Sequence, residues 1–284
     1  MLGVVDSEDV PLNLSRELLQ DSAIIRRLRT VIQNRVVRFL AEKARKDPES
    51  YNSFFVDYGI FLKEGIITST EQHEKEEISK LLKYETSRLP AEERSTLPEY
   101  ISRMAEDQKE IYYLAAPSRE LAEASPYFES LKKRDVEVLF CYETYDEVVL
   151  MQLREFGNKK LMSVEKEMRQ DKSEVVYDSE SGGLRKSEAK ELLDWIKKVL
   201  AGRCWHVKST SRLESHPCVV TVEEMSSARH FVKTQFSQIG EDARYSLLQP
   251  QLEINPNHPL IFKMNKLRES DPEVAELLAR QVCR

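Results

Sequence analysis

The stretches Ile111-Tyr112-Tyr113-Leu114-Ala115, Val136-Glu137-Val138-Leu139-Phe140-Cys141 and Leu161-Met162-Ser163-Val164 decide the fold. The first, a run of aromatic and aliphatic residues, reads as a buried strand, the second as another strand and the third as a shorter one. Leu121 to Lys133, with a break at Pro126, and Glu147 to Phe156 carry helical periodicity between them. Strand, helix, strand, helix, strand predicts a small, mainly parallel sheet with crossover helices, because parallel neighbours cannot be joined by a tight turn.

Upstream, Leu18, Ile25, Leu28, Ile32, Val36 and Leu40 recur at helical steps, with Ser15 as N-cap and Arg26, Arg27, Arg29, Arg35 and Arg38 mostly off the apolar face. Asp47-Pro48 stops this helix and starts another through Phe54, Phe55 and Tyr58, punctuated by Gly59 and Gly65. Glu71 to Tyr84 reads as a further amphipathic helix. Downstream, Glu165 to Lys186 is polar, contains Gly182-Gly183 and reads as a linker or mobile loop. Ser187 then caps a helix through Leu200. Trp205 to Leu213 and Cys218 to Val222 read as a β-hairpin, with Trp205 as a core anchor, and helices are expected at Glu224–Phe236, Leu260–Arg268 and Pro272–Cys283. The expected class is a helix-rich mixed α/β protein: a small αβα sandwich with a mainly parallel sheet, followed by an α+β domain of helices plus a hairpin.

The chain has 284 residues, 43 Lys+Arg and 49 Asp+Glu, for a net charge of -6. That length suggests about two domains. The acidic balance argues against a dedicated nucleic-acid binder, so the arginines between Arg26 and Lys46 read as a solvated helix face. No apolar run reaches the roughly 18 residues of a membrane span. The four cysteines form no CxxC pair and read as free thiols in a reducing compartment. Neither GxGxxG nor GxxxxGK[ST] occurs, so no common phosphate-cradling loop is encoded. His73, His230 and His258 lack catalytic neighbours at useful spacing, and His258 before Pro259 reads as a helix start. Cys204, His206, His216 and Cys218 could offer sulfur and nitrogen to zinc from alternate hairpin positions, but C-x-H…H-x-C is not a common zinc spacing, and no metal is expected.

Pro11-Leu12-Asn13-Leu14-Ser15-Arg16-Glu17-Leu18-Leu19-Gln20 carries the chemistry. A cation just inside a helix start opposes the macrodipole by about 0.3–1 kcal/mol, yet it also completes an anion site there. Gln20 shares the face of Arg16, and Asn13 flanks the turn. Spacing alone leaves a solvated arginine and an anion ligand both open.

This string resembles the catalytic-loop motif of the ninety-kilodalton heat-shock chaperone family. The resemblance continues, in family order and over nearly the whole chain, through Phe54-Phe55, Asp57-Tyr58-Gly59, Glu99-Tyr100, Ile111-Tyr112-Tyr113, Val136 to Phe140, Leu252-Glu253-Ile254-Asn255-Pro256 and His258-Pro259-Leu260-Ile261. Val4 to Asp9, His216-Pro217 and Thr221-Val222 resemble the mitochondrial branch. The resemblance implies that Arg16 reaches the γ-phosphate of ATP, held with Mg²⁺ in a separate N-terminal domain, with Gln20 and Asn13 in support. It implies client polypeptides as partners, contacted by Met225, Phe231 and Val232 on an exposed amphipathic element. It also implies a mitochondrial setting and a homodimer in the longer protein. This chain alone is expected to show no turnover and to be a monomer or weak dimer, because it reads as a fragment lacking the nucleotide pocket and part of the dimerising bundle. The expected segments are 1–90 (catalytic loop and helices of the middle domain), 91–166 (small αβα subdomain), 167–186 (linker or mobile loop) and 187–284 (truncated C-terminal domain). A non-catalytic client- or partner-binding module, unable to dock an N-terminal domain, is the alternative. The second SREL string, Ser118 to Leu121, reads as coincidence.

Overall fold

A computed structural model describes residues 23–170, 175–177, 183–201, 203–222 and 250–282. The chain divides into two compact units, 1–82 and 83–284.

The described part of the first unit is helical: α1 (Ala23–Lys46), α2 (Pro48–Thr68) and α3 (Gln72–Ser79). The expected arginines of α1 are all exposed, while Leu40 is buried and Ile32 of the apolar series stays 40% exposed. The Asp47 carboxylate accepts the Ser50 N–H at 3.2 Å, and Pro48 occupies the first turn, so α2 begins where expected. Tyr51, Phe55, Gly59, Lys63 and Ile66 form its buried stripe. Gly59 and Gly65 do not punctuate α2, which runs through both. A Cβ at Gly59 would stand 3.1 Å from the Phe55 ring, so this glycine serves a close approach inside the helix rather than a stop. The Tyr51 hydroxyl donates to the Leu81 carbonyl at 2.7 Å. The helix expected over 71–84 ends at Ser79, and Tyr84 belongs to a strand.

In the second unit, a six-stranded sheet has the order β2-β1-β4-β3-β6-β5. Its strands are β1 (Lys83–Thr86), β2 (Arg94–Thr96), β3 (Glu110–Ala115), β4 (Val138–Cys141), β5 (Glu155–Phe156) and β6 (Lys159–Ser163). The three stretches that decided the fold form its centre. β3 lies parallel to both β4 and β6, with Tyr113 opposite Leu139 on one side and Ser163 on the other. Ile111, Tyr112, Tyr113 and Leu114 are all buried, as the unbroken apolar run required. The sheet as a whole is mixed, because β1, β2 and β5 add antiparallel edges. α4 (Leu97–Arg103) follows β2. α5 (Arg119–Glu123) and α6 (Pro126–Lys133) make the crossover from β3 to β4, α7 (Thr144–Leu153) follows β4, and α8 (Val164–Gln170) follows β6.

The helix expected to reach Phe156 stops at Leu153. Arg154 turns left-handed, and Gly157 and Asn158, at φ 56° and 60°, close a two-residue hairpin between β5 and β6. The polar stretch from Glu165 is helical to Gln170, anchored by the buried Val164 and Met168 one turn apart.

A three-stranded sheet follows, built from β7 (His206–Ser209), β8 (Cys218–Thr221) and β9 (Gln251–Ile254). The expected hairpin does not form. β9 lies between the other two, parallel to β7 and antiparallel to β8. Its Leu252 and Ile254 are buried, so the late strand takes the centre. Trp205 precedes β7, lies outside the ladder and is 52% exposed rather than a core anchor. α9 (Lys186–Val199), α10 (Pro259–Ser270) and α11 (Pro272–Val282) complete this part. α9 begins one residue before the expected Ser187 cap, with the Glu188 carboxylate accepting the Arg185 N–H at 2.8 Å. Its Ala189, Leu192 and Ile196 pack with Leu252, Ile254, Ile261, Met264 and Ala279. His258 does fix a helix start: its Nδ1 accepts the Leu260 N–H at 3.1 Å.

Tyr100, fully buried on α4, donates its hydroxyl proton to the Glu137 carbonyl and accepts from Gln108 at 3.3 Å and from the Tyr112 N–H at 3.4 Å. Burial pushes this phenol up to about 12, so it stays protonated and donating. Tyr100→Phe strands these groups without changing the packing shape. It is expected to destabilise the second unit by about 1–3 kcal/mol in urea unfolding.

Candidate functional site

The expected site residues Asn13, Arg16, Gln20, Met225, Phe231 and Val232 lie outside the described residues. Within them, polar groups converge at two places in the second unit.

The first is a depression of about 530 Å³ at the amino ends of β3 and β4, lined by Arg88, Arg103, Gln108, Glu110, Arg134 and Glu137 among others. Its guanidiniums are committed to partners. Arg103 grips the Glu137 carboxylate through two bonds, at 2.7 and 3.1 Å, and Glu137 is 4% exposed. Arg88 donates to the Asp135 carbonyl at 3.1 Å, and Arg134 pairs with Glu167 at 2.8 Å. Ligands of open α/β sheets bind at the carboxyl ends of strands, and this cavity is at the opposite end. The arrangement is that of struts between strand and helix ends.

At the carboxyl ends, Arg119 of the second SREL string is equally occupied. It pairs with Glu85 at 3.2 Å and Glu123 at 2.7 Å, and lies over the Phe140 ring at 5.6 Å. Ser118 caps α5 by accepting the Leu121 N–H at 3.3 Å.

The second convergence is the joint between the two sheets, where α6 and α8 meet β8 and the 210–217 loop. Met168, Leu213, Val219 and Tyr127 form its apolar part. The Tyr127 hydroxyl donates to the Val220 carbonyl. Glu167 of α8 bridges Arg134, at 2.8 Å, and Arg212, at 3.3 Å. Lys133 pairs with Glu214 at 3.2 Å across the same joint. At its edge, Glu129 of α6 accepts from the Ser215 N–H at 2.6 Å and hydroxyl at 2.8 Å, and faces His216 Nδ1 at 3.0 Å. Burial would raise this carboxyl, but the donors from Ser215 and His216 outweigh it and hold Glu129 down at about 2.

Serine, histidine and glutamate therefore meet, but not as a nucleophilic triad. Ser215 donates its hydroxyl proton to Glu129, both share one ring nitrogen, and the far nitrogen Nε2 faces the Ala124 carbonyl oxygen at 3.0 Å, so no carboxylate orients the ring from its far side as a triad requires. The cysteine–histidine set considered for zinc is also not gathered, since His206 on β7 and Cys218 on β8 flank β9 while His216 turns to α6. Sequence reasoning noticed His216 but not Glu129. The two stand 87 positions apart, and no local pattern links them.

A carboxyl depressed in the folded state contributes stability above its unfolded pKa, and that stability is lost as pH falls through the folded value. Glu129→Gln is therefore expected to destabilise the unit by about 1–2 kcal/mol near neutrality, after allowance for solvent screening. Its deficit against wild type should shrink as urea unfolding is taken from about pH 5 down to about pH 3.

Comparison with known proteins places this architecture. Residues 1–282 match the family described as Hsp90 protein. The chain is 52% identical over 284 residues to "Heat shock protein 75 kDa, mitochondrial" of Rattus norvegicus, covering 99% of this chain and 40% of that protein. It is 37% identical to "TNF receptor-associated protein 1 homolog, mitochondrial" of Dictyostelium discoideum, over 99% of this chain and 39% of that one. "Chaperone protein HtpG" of Desulfitobacterium hafniense is 35% identical, over 99% and 45% respectively. The chain thus spans about two fifths of the length of these relatives. With a family match running along almost its entire length, the chain belongs to the Hsp90 family.

Proposed function

We propose that this chain is a working segment of an ATP-dependent molecular chaperone, and that its catalytic contribution is Arg16. The observation that carries this is the family match over residues 1–282, which includes the Pro11 to Gln20 string. A guanidinium presents a permanent charge and a planar fork of N–H donors that suits a phosphate. Arg16 supplies this to the γ-phosphate of ATP, with Gln20 and Asn13 in support. ATP and Mg²⁺ are held by a domain outside this chain, and they supply the phosphoryl group and its charge-neutralising metal. No described residue is assigned to the nucleotide. Met225, Phe231 and Val232 contact client polypeptides, and the longer protein works as a homodimer. The similarity to mitochondrial relatives supports a mitochondrial setting, although the bacterial HtpG proteins match as well.

ATP turnover by a separately produced Hsp90-family N-terminal domain tests the arginine. Adding this chain should stimulate turnover, and Arg16→Ala should lower the stimulated rate by at least about tenfold, toward the larger losses seen when an arginine finger is removed. No stimulation by the folded wild-type chain would favour the non-catalytic client-binding alternative. Client contact is tested by Met225→Ser, which should weaken binding of an unfolded polypeptide several-fold while leaving the melting temperature in place. A loss of both would return Met225 to the core.

A further inference from the structure

His216 is placed between two acceptors. Its Nδ1 lies 3.0 Å from Glu129 Oε2 and 3.2 Å from Ser215 Oγ, and its Nε2 lies 3.0 Å from the Ala124 carbonyl oxygen. A carboxylate and a carbonyl accept hydrogen bonds and cannot donate them. A neutral imidazole has a single N–H, so it serves one of the two and turns a lone pair toward the other. The doubly protonated ring serves both. We infer that His216 is a proton-operated latch: when protonated it fastens the 210–217 loop of the three-stranded sheet to α6 and to the end of α5, and when it loses its proton the loop loosens.

The other charged groups at the joint are paired with one another, and His216 is the imidazole among them. From α6 come Glu129, held low by its donors, and Lys133, paired with Glu214 of the loop. From α8 comes Glu167, between Arg134 and Arg212. Tyr127 donates to Val220 on β8. Carboxylates, lysine, arginine and tyrosine ordinarily exchange protons outside about pH 6–8, and imidazole within it. Just after β9, Asn255 faces the loop with an uncharged side chain. Its Nδ2 donates to the carbonyls of Leu213 at 3.1 Å and His216 at 3.4 Å.

Asn255 also accepts the His258 N–H at 3.2 Å through its backbone carbonyl. Protonation favours the latched state, so latching is complete on the acid side and is lost as pH rises.

Amide hydrogen exchange on the full chain, corrected for intrinsic rates and compared at about pH 6 and about pH 8, tests the latch. Protection across Leu213 to His216 should fall about tenfold from the lower to the higher pH, the size of one hydrogen bond to a charged group. His216→Gln keeps a donor but cannot titrate, and should abolish that difference. Equal protection at the two pH values in wild type, or the same fall in His216→Gln, would overturn the latch. Imidazole nitrogen-15 shifts of the wild-type chain provide a readout that needs no variant. Both ring nitrogens should carry protons wherever the loop is protected, and a singly protonated His216 with the loop still protected would refute the latch.

Discussion

The parallel pairing of β3 with both β4 and β6 is the constraint from which the second unit is built. A parallel neighbour cannot be reached by a short turn, so the chain must leave the sheet and return over its face. That obligation produces α5 and α6 between β3 and β4. Their apolar side closes the core with Ala122, Phe128 and Leu131 against Tyr112, Leu114, Val138 and Phe140. The outer side of α6, with α8 beside it, is then what the second sheet meets. The joint between the sheets is thus a consequence of strand direction several elements earlier.

That joint combines a small apolar patch with carboxylates that each hold more than one donor. Glu129 takes Ser215 and His216, and Glu167 takes Arg134 and Arg212. A half-buried carboxylate with several donors is satisfied and directional, so it specifies register where Met168, Leu213 and Val219 alone would specify only proximity. The 210–217 loop needs such specification, because it carries carbonyls that no strand partner meets. Asn255 at the end of β9 supplies donors to several of them. Asn255 belongs to the Leu252 to Pro256 string by which the chain resembles its family, so this string has a structural task at the joint.

Local grammar was strongest where one short run had one physical explanation. The buried run Ile111 to Ala115, the Asp47-Pro48 helix start and the His258 cap all lie in the structure where their chemistry put them. It failed where local signals competed. Gly59 looked like a stop but permits the Phe55 ring to lie against α2. Gly157-Asn158 was a hairpin turn signal overlooked beside a helical period, and β7 and β8 looked like partners because they are adjacent in sequence. The arginine and apolar residues assigned to ATP and clients rest on family resemblance, and they fall outside the described residues.

By itself the sequence determined the class: helix-rich, with three central strands, the first an unbroken apolar run that demands burial on both faces, and membership of a family recognisable from short strings in order. Periodicity and capping are properties of neighbouring residues, which is why they can be read along a chain. The tertiary structure alone decided that β9 separates β7 from β8, that Arg119 and Arg103 are struts, and that Glu129 meets His216. Each of these depends on residues far apart in sequence, brought together by strand order and by the need of buried polar groups for partners.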